Sequence, residues 1–104
     1  MKQIIASLKV QLESIDKEIS AIERNRIYCD EKAIHYLRSE TRPKDEAIAE
    51  RNYRYWATKE RELYSSLCYL RIARSEVFHS IENMTKADER VLAYQKVEKE
   101  EITL

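Results

Sequence analysis

Between residues 5 and 22 apolar side chains recur at spacings that alternate between three and four: Ile5, Leu8, Leu12, Ile15, Ile19 and Ile22. This is an a/d heptad seam, and it predicts a helix that packs along one narrow stripe against another helix. The seam then degrades. Arg26 stands where the next apolar residue belongs, and Ile27, Ile34 and Leu37 carry a stripe shifted around the helix. One helix is predicted over about residues 3–40, roughly 55 Å long at 1.5 Å per residue.

The stretch "SETRPKDE" breaks the pattern around Pro43. A residue before proline is pushed out of the helical region, and proline itself suits a first helical turn. Ser39 or Thr41 is the expected cap, with Asp45 and Glu46 favoured by the positive end of the helix dipole. A second helix is predicted over about residues 43–82, its stripe formed by Trp56, Leu63, Leu67, Leu70, Val77 and Ile81. In "NMTKADERV", Thr85 and Asp88 resemble a capping box, which predicts a third helix over about residues 86–100 with Ala87, Val91, Tyr94 and Val97 inward.

Short connections make neighbouring helices antiparallel. The expected fold is therefore all-α, a single domain across residues 1–104. It comprises a long antiparallel helical hairpin plus a shorter third helix, an elongated three-helix bundle that oligomerises. A turn near residue 41 places Ile27 near Trp56 and Arg26 across from Trp56 and Glu60. The third helix is long enough to cover only the base of the hairpin, which leaves residues 24–61 as a bare tip.

Composition supports this reading and removes several functions. The 104 residues include no glycine and one proline. Phosphate-binding loops of the Walker or dinucleotide type need glycine where backbone approaches phosphate, so neither is present. Nineteen basic and nineteen acidic side chains cancel, which argues against whole-molecule attraction to nucleic acid or membrane. No secretory leader or membrane span is expected. Cys29 and Cys68 fit a reducing compartment, and the expected localisation is cytoplasmic. The hairpin register sets the two cysteines about 20 Å apart, too far for a disulfide.

Candidate chemistry is sparse. Glu76 and His79 have the spacing of a di-iron helix pair, but the second pair and the further inward glutamates that such a site needs are missing. No nucleophile, base and carboxylate fall into a catalytic pattern, so the expectation is no enzyme, no cofactor and no metal.

The arginines and aromatics carry more. Residues 24–61 hold 10 basic and 7 acidic side chains, together with Tyr28, Tyr36, Tyr53, Tyr55 and Trp56. Tyr, Trp and Arg are the types enriched at the energetic centres of protein interfaces. On a helical wheel "RNYRYW" divides: Trp56 points into the seam, Tyr53 and Tyr55 flank it on opposite sides, and Arg51 and Arg54 face outward. The expected function is a non-catalytic protein–protein interaction module, an adaptor or an inhibitor of a larger protein. Tyr28, Arg38, Arg51, Tyr53, Arg54 and Tyr55 are its contact residues, and a homodimer covers the leftover apolar stripes. The alternative is binding of nucleic acid or nucleotide phosphate by arginines gathered across a dimer interface, with Arg71 and Arg74 as candidates. Neither of these has an acidic residue three or four positions away on its own helix.

Overall fold

The computed structural model describes residues 2–103 and, among them, side chains up to residue 100. Two long helices account for nearly all of these: α1, Lys2–His35, and α2, Glu46–Thr103. The fold is all-helical, as the heptad pattern predicts. Among the described residues no helix is long and apolar enough to cross a membrane.

The chain divides into two compact parts, described separately. The turn part spans Asp16–Ile72, and the terminal part combines Met1–Ile15 with Ala73–Leu104. The connection lies in the turn part. α1 ends at His35, five residues earlier than the periodicity suggests, because the Thr41 hydroxyl donates to the His35 carbonyl at 2.6 Å and satisfies an acceptor left open at the helix end. Leu37 N and Arg38 N donate back to the Ile34 carbonyl, and Arg42 N to the Arg38 carbonyl, which winds the connection in tight turns. No described residue has positive φ, so the reversal is made without a left-handed residue in a chain that has no glycine.

α2 begins after Pro43, not at it. Asp45 is the cap, in place of the expected Ser39 or Thr41. Its Oδ1 accepts from Ala47 N at 2.9 Å and Ile48 N at 3.4 Å, the standard way to satisfy the first unpaired amides of a helix. Arg42 bridges to Glu46 at 3.4 Å.

Within the turn part the seam does not shift at Arg26. It continues in strict three–four alternation through Arg26, Cys29, Ala33 and Tyr36, all buried or half-buried. The residues expected to carry the stripe, Ile27, Ile34 and Leu37, are 60%, 37% and 58% exposed. Ile27 follows Arg26 by about 100° of rotation and therefore turns off the seam. On α2 the same alternation runs through Ala49, Tyr53, Trp56, Glu60, Leu63, Leu67 and Leu70, again buried or half-buried. Small residues close the seam near the turn: Cys29, Ala33 and Ala49 are nearly inaccessible. Leu67, which the antiparallel register places opposite Ile19 and Ile22, is fully buried.

In the terminal part Ile5, Leu8, Leu12 and Ile15 are half-buried, as are Val77, Ile81 and Met84. The third helix is not a separate element. α2 runs through residues 83–85 without interruption. The Thr85 hydroxyl donates to the Ile81 carbonyl at 2.8 Å, a bond to the preceding turn that replaces the predicted capping box. Asn, Met and Thr are tolerated inside helices, and no Pro or Gly stands there to stop one. Residues 89–100 are exposed. The hairpin tip is therefore not singled out by a third helix packed on the base. Phe78, Val91, Leu92 and Tyr94 in the terminal part are exposed as well.

Candidate functional site

The turn part brings Tyr28, Tyr55 and Arg71 to the two flanks of one seam, while Tyr53, expected on a flank, lies in the seam itself. Arg26 organises the first. Its Nε donates to Glu60 Oε1 at 2.6 Å, and its guanidinium carbon lies 4.6 Å from the Tyr64 ring centroid. The hydrogen bond to Glu60 is the main reason that the arginine's pKa is raised above its ordinary value, and it outweighs the opposing effect of burial. The expected carboxylate is the right one, but the ring is Tyr64, not Trp56. Side chains on a helix lean toward its N-terminus. From α1 that direction leads away from the turn, toward higher numbers on the antiparallel α2. The same lean brings Arg71 and Glu23 together. Their backbone positions are offset along the hairpin, each side chain tilts toward the other, and Nη2 meets Oε1 at 3.4 Å.

These groups line an open cleft of about 450 Å³ formed by Glu23, Arg26, Ile27, Asp30, Glu31, Glu60 and Arg71. Four carboxylates surround two guanidiniums, and both guanidiniums are engaged. An incoming phosphate meets net negative charge here, and each arginine it could approach already has a carboxylate beside it. Arg74 lies in the terminal part, is half-buried and is not free either.

An aromatic cluster occupies the other flank. Trp56 meets Tyr28 edge-to-face at 5.7 Å and 83°, and meets Tyr55 at 5.1 Å and 85°. Lys32 Nζ lies over the Tyr28 ring and Lys59 Nζ over the Tyr55 ring, each 5.6 Å from the centroid. Such pairs fall within the reach of a cation–π interaction. Tyr28 and Tyr55 remain 52% and 54% exposed.

The six predicted contact residues do not form one patch. Tyr28 and Tyr55 meet through Trp56. Tyr53 lines a separate small cleft with Tyr36, Leu37 and Arg42. Arg38 lies by the turn in a shallow cleft with Glu31, Ile34, His35 and Thr41. Arg54 is tied to Glu50 at 2.5 Å on the outer face, and Arg51 is exposed. Tyr64, Lys32 and Lys59 were not legible as site residues, although both lysines stand four positions after the tyrosine they cover, the spacing that places side chains together on a helix.

Cys29 and Cys68 are free thiols, the first buried and the second half-buried. His79 pairs with Glu82 at 3.5 Å on the exposed side of α2. Among the described residues no three His, Cys, Asp or Glu side chains converge as a metal site. In comparison with known proteins, the chain matches no family model, and no curated protein or solved structure resembles it closely enough to carry an inference.

Proposed function

We propose that this chain is a non-catalytic helical interaction module, an adaptor or an inhibitor that displays side chains on rigid helices to a larger protein. The distribution of apolar surface carries the reading. Among the described residues Leu67 is the one large side chain that is fully buried, whereas sixteen large apolar or aromatic side chains are exposed. Single exposed apolar residues are ordinary on a monomer. An excess over the buried set is the pattern of a chain that completes its packing with another chain.

The proposal extends to a homodimer that covers part of this surface, in the cytoplasm, where free thiols are stable. The non-catalytic reading is supported by the clefts, which are open to water; in the one that holds Arg26 and Arg71, each guanidinium already has a carboxylate partner. Phosphate recognition by Arg71 is disfavoured by its pairing with Glu23.

Sedimentation across a hundredfold concentration range tests self-association: the expected species is twice the 12.5 kDa chain, and a monomer throughout refutes the dimer. Replacing Tyr53, Arg54 and Tyr55 together with alanine tests the surface. The folded triple variant is expected to lose the proteins cross-linked to the parent in cells; an unchanged set rejects the tip as the interface.

A further inference from the structure

Resting on the interaction-module reading, we infer that the Tyr28–Trp56–Tyr55 cluster with Lys32 and Lys59 is an anchor site for an acidic, apolar protein segment. Three observations support this choice of partner. The first is charge. Arg26, Arg42, Arg54 and Arg71 each have a carboxylate within ion-pair distance. Lys32 and Lys59 have none among the described residues; the nearby Glu62, three positions after Lys59, does not reach it. Two ammonium groups are thus held over rings with no anion of their own, and a partner carboxylate that meets them gains a charge-assisted contact without breaking an existing pair.

The second is apolar surface. Trp56 is half-buried between two tyrosines that are each about half exposed. Fixed rings give a partner side chain a contact whose ordering cost is already met, the usual make-up of an interface anchor. The third separates protein from single-stranded nucleic acid. Bases bind by stacking on ring faces. Here one face of each tyrosine carries a lysine, and both tyrosines meet the indole edge-to-face. A base stacking on the lysine-covered face has to displace that contact, whereas a carboxylate with a neighbouring aliphatic group can use the half-buried Lys32, the exposed Lys59 and the ring edges as they stand.

Trp56 is the one tryptophan in the sequence, so its fluorescence reports this cluster alone. The full chain is titrated with an amphipathic peptide of Glu and Leu, with its counterpart carrying Lys for Glu, and with oligothymidylate. The acidic peptide is expected to give a saturable shift, about tenfold tighter than either other probe, and Tyr55→Ala is expected to weaken it about tenfold. The double variant Lys32→Glu with Lys59→Glu, checked for unchanged helix content by circular dichroism, is expected to prefer the basic peptide. Equal response to both peptides, tighter binding of oligothymidylate, or an unchanged preference in the double variant overturns the inference. So does a change in solution mass on Tyr28→Ala, which assigns the cluster to self-association. If the acidic peptide fails while the Tyr53/Arg54/Tyr55 triple variant still loses its cellular partners, only the acidic-partner inference falls. If both fail, the interaction-module reading falls with it.

Discussion

Leu67 is the sharpest place to test the hairpin. It is fully buried, one turn from the half-buried Leu63 and Leu70 on its own helix. Leu67→Ala removes apolar volume worth about 0.8 kcal/mol per methylene-sized group, or roughly 2.4 kcal/mol by transfer alone. A residual cavity raises such costs toward about 5 kcal/mol in a rigid core. Here the neighbours are half-exposed, so the seam can close up or admit water, and the lower end applies: about 2.5–3 kcal/mol. With a urea m-value of about 1–3 kcal/mol/M, the unfolding midpoint falls by roughly 1 M or more. The melting temperature falls by about 10–20 °C at about 4–8 °C per kcal/mol for a domain of this size. Tyr69→Ala, two residues on and 76% exposed, is the control and is expected to stay within about 0.5 kcal/mol. Both are measured by urea unfolding followed by circular dichroism at two protein concentrations. The reasoning is refuted if the two variants cost the same. It is also refuted if the loss at Leu67 changes with concentration beyond the parent's own dependence, because an intramolecular seam does not depend on a second chain.

Other consequences follow from single contacts. Asp45→Ala removes the cap of α2 and is expected to cost about 1 kcal/mol, with most of it recovered in Asp45→Asn; thermal unfolding reads the difference. Asn83→Pro is expected to cost about 3 kcal/mol or more, because α2 is continuous there; a small effect on helix content and stability restores the helix break at residues 83–85. In Glu60→Gln the Arg26 Nε proton is expected to exchange faster with water in nitrogen-resolved NMR. Arg26 has a raised folded-state pKa, so its contribution is fully present below the ordinary arginine value and is lost only as pH rises through the higher folded value. The Nε signal in the parent is therefore expected to stay insensitive across neutral pH. Thiol labelling of the native protein is expected to modify Cys68 first and Cys29 only as the helices open; equal rates contradict a closed seam near the turn.

The helical class, the reversal around Pro43 and the packing face of α1 from Ile5 to Ile22 were legible in the amino-acid pattern alone. These depend on local periodicity, on the absence of glycine and on proline's restricted backbone, all of which act within a few residues. The pattern also paired Arg26 with Glu60, since both occupy heptad positions close in register. Tertiary structure decided what periodicity by residue type had obscured. The seam continues through Arg26, Cys29 and Ala33 because spacing, not hydrophobicity, sets which side chains face the neighbouring helix. Small and charged residues can therefore be more buried than Ile27 or Leu37. The capping signal at Thr85 yielded to a hydroxyl bond with the preceding turn, a choice that a motif of side-chain types does not encode. The partners of Arg26 and Arg71 came from the lean of side chains along their helices, which favours contacts offset along the hairpin. That offset is invisible in one dimension, whereas position around each helix puts the carboxylate-paired Arg26 and Arg71 on one flank of the seam and Lys32 and Lys59 on the other.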